Sequence, residues 1–240
     1  MIRNAFVLGK ILGVHPKAVI HIGAHHGQDK LNYKLLGSKE IYWGEPNPDA
    51  MQVLLKRFPE DHFISKPFWN KPDENITFYL SEHSEQSSLI EPLNQDVYKE
   101  VSLISTTLDK EFSNLKSSLK PMLVIDVQGA EIEVLLGGSE MLPKVKYVVV
   151  EIANRNQGYK KTPSKSEIDT ILEKHHLRQI LQRPAYDNSY ADVLYMKTNF
   201  INAKLITQID SILLKIMKAR HVLKYKHRPK DAFHCDSCNV

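Results

Sequence analysis

The fold is decided by residues 19–28, which read VIHIGAHHGQ. The stretch starts as a short apolar strand and ends in a turn bordered by Gly23 and Gly27, beyond which a helix is expected. A second apolar strand, 41–44, is followed by Glu45, 22 residues after Gly23. A nucleoside-binding βαβ unit consists of a strand, a glycine turn, a helix, a second strand and an acid. The carboxylate of the acid accepts hydrogen bonds from the ribose hydroxyls.

The glycine turn also narrows the choice of ligand. A dinucleotide site uses G-x-G-x-x-G, whose middle glycine lets the backbone meet the pyrophosphate. The turn here, GAHHG over 23–27, has no middle glycine. S-adenosylmethionine (SAM) carries a ribose and an adenine but no phosphate, so the turn favours SAM over NAD. A tight turn in some other α/β protein is the alternative that so short a motif leaves open.

Length and composition indicate one α/β domain with an appendage. The chain has 240 residues, of which 42% are hydrophobic and 25% charged, as in ordinary globular proteins. No apolar run is long enough to span a bilayer, and the first residues lack a cleavage signature. Cys235 and Cys238 are the only cysteines, so no disulfide is expected in the core, which suits a cytoplasmic location.

Strands and helices alternate along the chain, which predicts a Rossmann-like, mostly parallel sheet with helices on both faces. The last two strands are predicted to close the sheet as an antiparallel pair. The predicted strands are 18–22, 41–44, 61–65, 76–80, 101–105, 121–127, 146–152, 177–182 and 192–197, and the predicted helices are 29–36, one opening at Asn47, 130–136 and 164–175.

The least regular region is 66–100, which is rich in Ser, Asn, Pro, Glu and His. It follows the third strand on the side of the sheet where ligands are expected. A long irregular insertion at that place is often a substrate loop, and a solvated surface loop is an equal alternative.

A second motif, VIDVQGAEIEVL, occupies residues 124–135. A buried strand delivers Asp126 near its carboxyl end, Gly129 permits a sharp turn, and Glu131 lies in the first turn of the next helix. Ligands bind at this edge of an open α/β sheet. Two carboxylates at this edge lower the stability of the fold unless they are solvated or paired with other groups. Otherwise they are expected to take part in the function.

Together these motifs resemble the FkbM-type family of SAM-dependent methyltransferases. The resemblance covers about residues 15–200 and rests on the order and spacing of several segments. These are IGAHHG at 22–27, EPNP at 45–48, SSL at 87–89, TLD at 107–109, IDVQGAE at 125–131 and VE at 150–151. It implies a class I SAM-methyltransferase fold, SAM as cofactor, and an acceptor hydroxyl on a sugar, glycan precursor or secondary metabolite.

Two residues depart from the family pattern. His21 stands where the family usually has Asp, an acid that in related enzymes helps to hold the methionine ammonium, so this contact must be supplied in another way. Gln128 replaces the usual Glu, and because an amide cannot take a proton, Gln128 is a poor catalytic base.

The resemblance and the strand ends together predict the site residues. Cofactor contacts are expected from His21, Gly23, Ala24, Gly27, Glu45 and Asn47. Transfer to an alcohol also needs a base. The first candidates are Asp126, Glu131 and His25. His26 and Glu151 are further candidates. Asp126 is favoured for its place at the strand end, although it could instead bond the backbone of the following turn, and Glu131 could cap its helix.

The chain is predicted to divide into an N-terminal helix over 1–14, a methyltransferase domain over 15–200 and a C-terminal part over 201–240. The C-terminal part carries eight Lys/Arg and three Asp/Glu and has apolar residues at helical spacing. We expect this basic amphipathic helix to dock on the body or on a second subunit; peripheral contact with an anionic membrane is the alternative. The Cys235–Cys238 pair is predicted to be a flexible end, so no metal is expected.

The leading hypothesis is therefore a SAM-dependent O-methyltransferase. Its partners would be a small-molecule or glycan acceptor and, in a homodimer, a second copy; no nucleic acid is expected. A nicotinamide-dependent oxidoreductase and a non-catalytic module that keeps the SAM fold are the alternatives.

Overall fold

The computed structural model describes residues 13–93, 97–153, 159–185 and 189–198, together with Lys10, Gln208 and Ser211. Its main feature is a seven-stranded sheet. The strands of this sheet are β1 (Ala18–Ile22), β2 (Glu40–Gly44), β3 (His62–Ile64), β6 (Met122–Ile125), β7 (Tyr147–Ala153), β8 (Leu177–Pro184) and β9 (Tyr190–Lys197). Their order across the sheet is β3-β2-β1-β6-β7-β9-β8.

The first five strands of this order run parallel, and β9 runs antiparallel to both of its neighbours. Two further strands, β4 (Asn75–Ser81) and β5 (Val97–Ile104), form a separate antiparallel sheet. The prediction of a mostly parallel sheet with an antiparallel closing pair is confirmed.

Helices cover both faces of the main sheet. The strand residues that point to either face are apolar, so each face must be shielded from water. One face packs against α1 (Lys30–Leu36) and α2 (Pro48–Arg57), and its core includes Tyr33 and Trp43. The other face packs against α3 (Leu108–Phe112), α4 (Glu131–Leu136) and α5 (Lys165–Lys174). Along β1, Val19 contributes to the first core and Ile20 to the second, as the two-residue period of a strand requires.

The carboxyl ends of three neighbouring strands are joined by backbone hydrogen bonds. Gly23 N donates to the carbonyl of Gly44 at the end of β2 (2.9 Å), and Asp126 N donates to the carbonyl of Ile22 at the end of β1 (3.0 Å). The turns that follow β1, β2 and β6 therefore start from one connected edge.

Two predicted strands have different bounds in the structure. Strands were expected at 76–80 and 101–105, but the second begins at Val97, because its early residues pair with the end of β4. The predicted 121–127 strand ends at Ile125, which leaves Asp126 in the turn.

Most of both predicted terminal segments lies outside the described residues. Lys10, Gln208 and Ser211 are helical, and the rest of the N-terminal helix, the amphipathic C-terminal helix and the two cysteines are not described. Within the described part of the chain, no helix is both long and apolar enough to cross a bilayer.

Candidate active site

Three adjoining cavities lie at the carboxyl edge of the parallel strands. The first, about 50 Å³, lies between Gly23, Glu45 and Phe78. The second, about 260 Å³, is lined by His21, Ala24 and Asp29 among others. The third, about 490 Å³, is lined by Glu151, Tyr159 and Tyr190 among others. Asp126 and Glu85 line all three, so the cavities form one cleft around these two carboxylates.

The glycines of the turn 23–27 are required by the protein's own packing. Gly23 has φ +78°, and a Cβ there would lie 1.7 Å from the carbonyl oxygen of Asp126. Gly27 has φ +66°, and a Cβ there would lie within 3 Å of Leu54 and Phe58 side-chain atoms. Gly23 also lines the first two cavities, whereas Gly27 is among the lining residues of none of the three. Neighbouring protein atoms therefore make the closest approach to both glycines.

Glu45 follows β2 and is buried. One of its carboxylate oxygens accepts from His25 N (2.7 Å) and the other from Asn47 N (2.8 Å). Burial raises the pKa of Glu45 to about 7, against the effect of these two N–H donors, which lower it. The carboxylate lines the first cavity and can still accept hydrogen bonds there, because each oxygen has a further lone pair.

Asn47 was expected to contact a cofactor, but the structure places it behind Glu45. Its side-chain oxygen caps α2 by accepting from Asp49 N (3.0 Å) and Ala50 N (3.5 Å). It is not among the residues that line the three cavities. Its contribution in this geometry is to hold Glu45 through its backbone N–H.

Asp126 and Glu151 share one amide donor. Nε2 of Gln128 donates to Asp126 Oδ1 (2.8 Å) and to Glu151 Oε1 (3.3 Å). Gln128 adopts φ +53°, an uncommon conformation for a residue with a side chain. Burial raises the pKa of both carboxyls, and the charge of Asp126 raises that of Glu151 further. The departure from the family's usual Glu therefore places a neutral donor, in place of a further negative charge, between two acids.

Glu131, the second candidate base, is turned away from the cleft. It is buried, and its carboxylate accepts from Gly129 N (3.0 Å) within the turn before α4. Burial raises its pKa to about 7, while the hydrogen bond from Gly129 lowers it. It lines none of the three cavities, so the arrangement favours the alternative in which Glu131 supports its own turn.

His25, the third candidate base, connects the turn to the segment that covers the cleft. It has φ +46°, its ring lies 3.7 Å from that of His26, and its Nε2 lies 2.8 Å from Ser84 Oγ. Burial lowers the pKa of His25, and the neighbouring His26 lowers it further. His25 lines the first and second cavities, whereas His26 lines none and accepts from Arg57 through its carbonyl oxygen.

The covering segment, residues 82–90, contains cleft-lining residues that the sequence alone did not single out. Its 3₁₀ turn, Ser84–Gln86, carries Glu85 into the cleft. Tyr159 Oη donates to the carbonyl of Gln86 (2.8 Å), and Ser88 Oγ donates to that of Gln128 (2.7 Å). The serine-rich motif gave a hint of this segment, but nothing in the pattern pointed to Glu85, Tyr159 or Tyr190.

Among the described residues, no group of three or more His, Cys, Asp or Glu side chains is arranged to hold a metal ion.

Asp192 is a buried acid close to the cleft but outside its lining. It lies on β9 opposite Glu151, and its Oδ1 has no hydrogen-bond partner. Burial, and then the charge of Asp126, raise its pKa to about 7. The folded state therefore binds this proton more tightly than the unfolded chain, so stability falls as the pH rises from about 4 to about 7.

We expect Asp192→Asn to stabilise the protein at pH 8 by at least about 1.4 kcal/mol, since it removes a buried charge. At pH 4 the effect should shrink to about 0.5 kcal/mol, because the folded Asp192 is then protonated and the unfolded one about half protonated. Chemical unfolding at the two pH values measures the difference. The exposed Glu140, changed to Gln, is the control for the loss of a carboxylate at the surface. An equal effect of Asp192→Asn at both pH values would contradict the pKa argument.

The strand order and the cleft define a Rossmann-like methyltransferase fold. The family model described as the methyltransferase FkbM domain matches residues 21–183, more than half of the chain. The chain therefore belongs to the FkbM methyltransferase family and is a SAM-dependent methyltransferase, as the sequence resemblance predicted. A comparison with curated proteins gave no match.

Three solved structures with a similar fold are distant from this chain in sequence. Fibrillarin from Aeropyrum pernix with bound SAM is 14% identical, with 81% of this chain and 76% of that chain covered and a TM-score of 0.47. The N-methyltransferase NodS from Bradyrhizobium japonicum is 10% identical, with 82% and 94% covered and a TM-score of 0.46. Magnesium protoporphyrin IX methyltransferase from Synechocystis, with bound SAM, is 9% identical, with 82% and 79% covered and a TM-score of 0.46.

The chemistry of the cleft fits SAM. SAM has a cationic sulfonium, and the second cavity is lined by the carboxylates of Asp29, Glu85 and Asp126. Glu151 also lines it, but burial raises its pKa to about 9, so it is mostly protonated at neutral pH. The described residues that line this cavity include no Lys or Arg. Such a surface favours a cationic ligand over a phosphate-bearing one.

Proposed function

We propose that this protein transfers the methyl group of SAM to a hydroxyl of a sugar, glycan precursor or secondary metabolite, and that Asp126 takes the hydroxyl proton. The observation that carries the proposal is the position of Asp126. Its carboxylate is partly buried, is held by Gln128, and lines all three cavities, so it adjoins both a site for the cofactor and a space for an acceptor.

The cofactor is proposed to occupy the first and second cavities. When bound, SAM supplies a methyl group on a sulfonium, which already has a good leaving group. Glu45 would accept hydrogen bonds from the ribose hydroxyls, while Gly23 and Ala24 would form the wall of the cavity at the turn. The covering segment would exclude water from the same space through Ser84 and Ser87.

The acceptor is proposed to occupy the third cavity. Its volume of about 490 Å³ leaves room for a ring-sized molecule. Its lining offers two aromatic rings, Tyr159 and Tyr190, beside the polar side chains of Gln86 and Ser189. Aromatic faces and convergent polar groups of this kind suit a polyhydroxylated ring, because the rings pack against its C–H surface while the polar groups orient its hydroxyls.

Asp126 is proposed as the base because it is the partly buried acid at the point where the cavities meet. Its raised pKa makes it a better proton acceptor than an exposed carboxylate. The Nε2 donor of Gln128 fixes its orientation, so that the second carboxylate oxygen can face the acceptor. The remainder of the rate enhancement would come from alignment of the two reactants, which can supply about 7–11 kcal/mol.

The test of this function is a methyl-transfer assay with SAM labelled in its methyl group. Sugars, glycan precursors and hydroxylated secondary metabolites are the acceptors. The expected product carries the label on a hydroxyl oxygen, identified by mass spectrometry and NMR. Label found only on nitrogen or carbon would overturn the O-methyl assignment while leaving methyl transfer intact.

Glu45→Ala should weaken the binding of S-adenosylhomocysteine by about 1.5–3 kcal/mol, the usual loss for hydrogen bonds to a charged group. Titration calorimetry measures it. Glu40→Ala, at the opposite end of the same strand, is the matched control and should leave the affinity unchanged. NAD is the control ligand and should not bind. If the folded Glu45→Ala variant bound as tightly as the unchanged protein, Glu45 would not be the ribose acceptor.

A further inference from the structure

The third cavity, where the acceptor is proposed to bind, has a negatively charged wall. Three carboxyl groups line it, those of Glu85, Asp126 and Glu151, and the described residues around it include no Lys or Arg. Burial raises the pKa of Glu151 to about 9, and the charge of Asp126 raises it further. Because Glu151 therefore holds a proton at neutral pH, the charge of the wall comes from Asp126 and from the exposed Glu85.

Two aromatic rings, Tyr159 and Tyr190, lie in the same wall. The hydroxyl of Tyr159 donates to the carbonyl of Gln86 (2.8 Å), so its proton is already engaged and its ring is what it offers to a ligand. Burial, and then the nearby charge of Asp126, raise the pKa of Tyr159 to about 12. Carboxylates beside aromatic rings favour a cation, because the face of the ring is also negative.

The same wall disfavours an anionic acceptor. Nε2 of Gln128 donates to Asp126 and Glu151, so this amide is engaged like the hydroxyl of Tyr159. A phosphate or carboxylate group in the cavity would lie among carboxylates of the same sign, and like charges in a partly buried space repel. The acceptor is therefore expected to be neutral or cationic.

The charge of the bound cofactor separates these two possibilities. The ammonium and the carboxylate of SAM cancel each other, so its sulfonium leaves one net positive charge. Glu85 and Asp126 both line the cleft on all sides of that position and together carry two negative charges. One carboxylate is thus left without a counter-charge. Asp126 is the proposed base for the hydroxyl, so Glu85 is the carboxylate that can pair with a cation on the acceptor.

We propose that the acceptor is a hydroxyl compound that also carries an amine, such as an amino sugar, and that its ammonium pairs with Glu85 while its hydroxyl faces Asp126. The proposal rests on the proposed function and adds the charge of its substrate. Glu85 and the two tyrosines would then determine which compounds are accepted.

Pairing with Glu85 also determines which group of the acceptor reacts. An ammonium has no lone pair and cannot attack the methyl group. The hydroxyl oxygen forms the new O–C bond, the S–C bond of SAM breaks with its electron pair remaining on sulfur, and the hydroxyl proton passes to Asp126. The products are a methyl ether that still carries its ammonium and S-adenosylhomocysteine.

The first measurement compares matched acceptors. Methyl glycosides of amino sugars with the amine at different ring positions are each set beside the parent sugar, which has an uncharged hydroxyl at that position. Glucuronate represents an anionic acceptor. Titration calorimetry uses the unchanged protein saturated with S-adenosylhomocysteine. At least one amino sugar should bind about 10- to 100-fold more tightly than its parent sugar, the usual effect of a hydrogen bond between charged groups, and glucuronate should not bind.

The second measurement changes the protein. Glu85→Gln keeps the size of the side chain and removes its charge. With methyl-labelled SAM, kcat/KM for the preferred amino sugar should fall by about 10- to 100-fold, whereas the value for the parent sugar should stay within a few-fold. Glu82→Gln is the matched control, because Glu82 is exposed on the same covering segment and lines none of the three cavities. Tyr190→Leu should lower the preference for the amine about two- to fivefold, and Tyr190→Phe should retain it.

The possible results separate the role of Glu85 from the proposed function. Equal binding of amino and parent sugars, preference for glucuronate, failure of every amino sugar to bind, or an equal loss for both sugars in Glu85→Gln would overturn the role of Glu85 and leave methyl transfer in place. Label on the amine nitrogen would overturn that role and the O-methyl assignment together, because an amine that reacts is not held as an ammonium. Failure of the unchanged protein to bind S-adenosylhomocysteine would overturn the proposed function itself, and this inference with it.

Discussion

Asp126→Asn should lower the rate of methyl transfer by about 10²–10⁴-fold, the usual contribution of a general base. The substituted amide keeps the shape of the side chain and an oxygen that can still accept from Gln128 Nε2, but it cannot take a proton. The melting temperature should stay the same or rise, because the charge that raises the pKa of Glu151 has been removed. Steady-state kinetics and thermal unfolding of the same preparation measure both effects.

Asp192→Asn is the matched control for this variant. It also removes a buried carboxylate close to Glu151, but Asp192 lines none of the three cavities. Its turnover should therefore stay within a few-fold of the unchanged protein. If Asp126→Asn kept near-normal turnover, Asp126 would not be an essential base. His25 would then be the next candidate, because it also lines the cleft.

Gly23→Ala should cost at least about 4 kcal/mol of folding free energy, a loss large enough to require a specific structural cause. The new methyl group would lie 1.7 Å from the carbonyl oxygen of Asp126, and the backbone has φ +78°, where a side chain is strained. The two nearest atoms belong to the backbone of Asp126, which leaves little room for relief. Chemical unfolding measures the loss.

Gly37→Ala separates the two causes. Gly37 also has a positive φ, +96°, but a Cβ there would meet no atom within 4 Å. This control should cost only about 1–2 kcal/mol, the price of the left-handed conformation alone. If the two substitutions proved equally costly, steric overlap with Asp126 would not be what requires a glycine at position 23.

The parts of the site that follow buried strands could be predicted from the sequence. The apolar run ending at Gly23 gave the bounds of β1, Ala18–Ile22, because a short buried strand next to a glycine has little freedom in register. Glu45 and Asp126 were predicted at the cleft because the ends of parallel strands meet at one edge of a sheet. Both line the cavities.

Side-chain direction and distant contacts could not be predicted in this way. Asn47 and Glu131 follow the same strand ends, but local backbone N–H groups hold their side chains away from the cleft. Which of several acceptors such a side chain serves depends on the turn geometry, which the residue pattern does not specify. Glu85 and Tyr190 reach the site from segments far apart in the chain, so only the completed fold brings them together.

The backbone hydrogen bonds that join the ends of β1, β2 and β6 have a consequence for how freely the sequence can vary. Gly23 is hydrogen-bonded to Gly44 and Asp126 to Ile22, main chain to main chain. The separation of the turns is therefore set by peptide geometry rather than by the shapes of core side chains. Methyl transfer depends on alignment, and an error of about 1 Å can cost a hundredfold in rate. Substitutions that conserve the volume of the interior, such as Ile20→Leu or Leu123→Ile, should therefore lower the stability while leaving the alignment of the reacting groups unchanged.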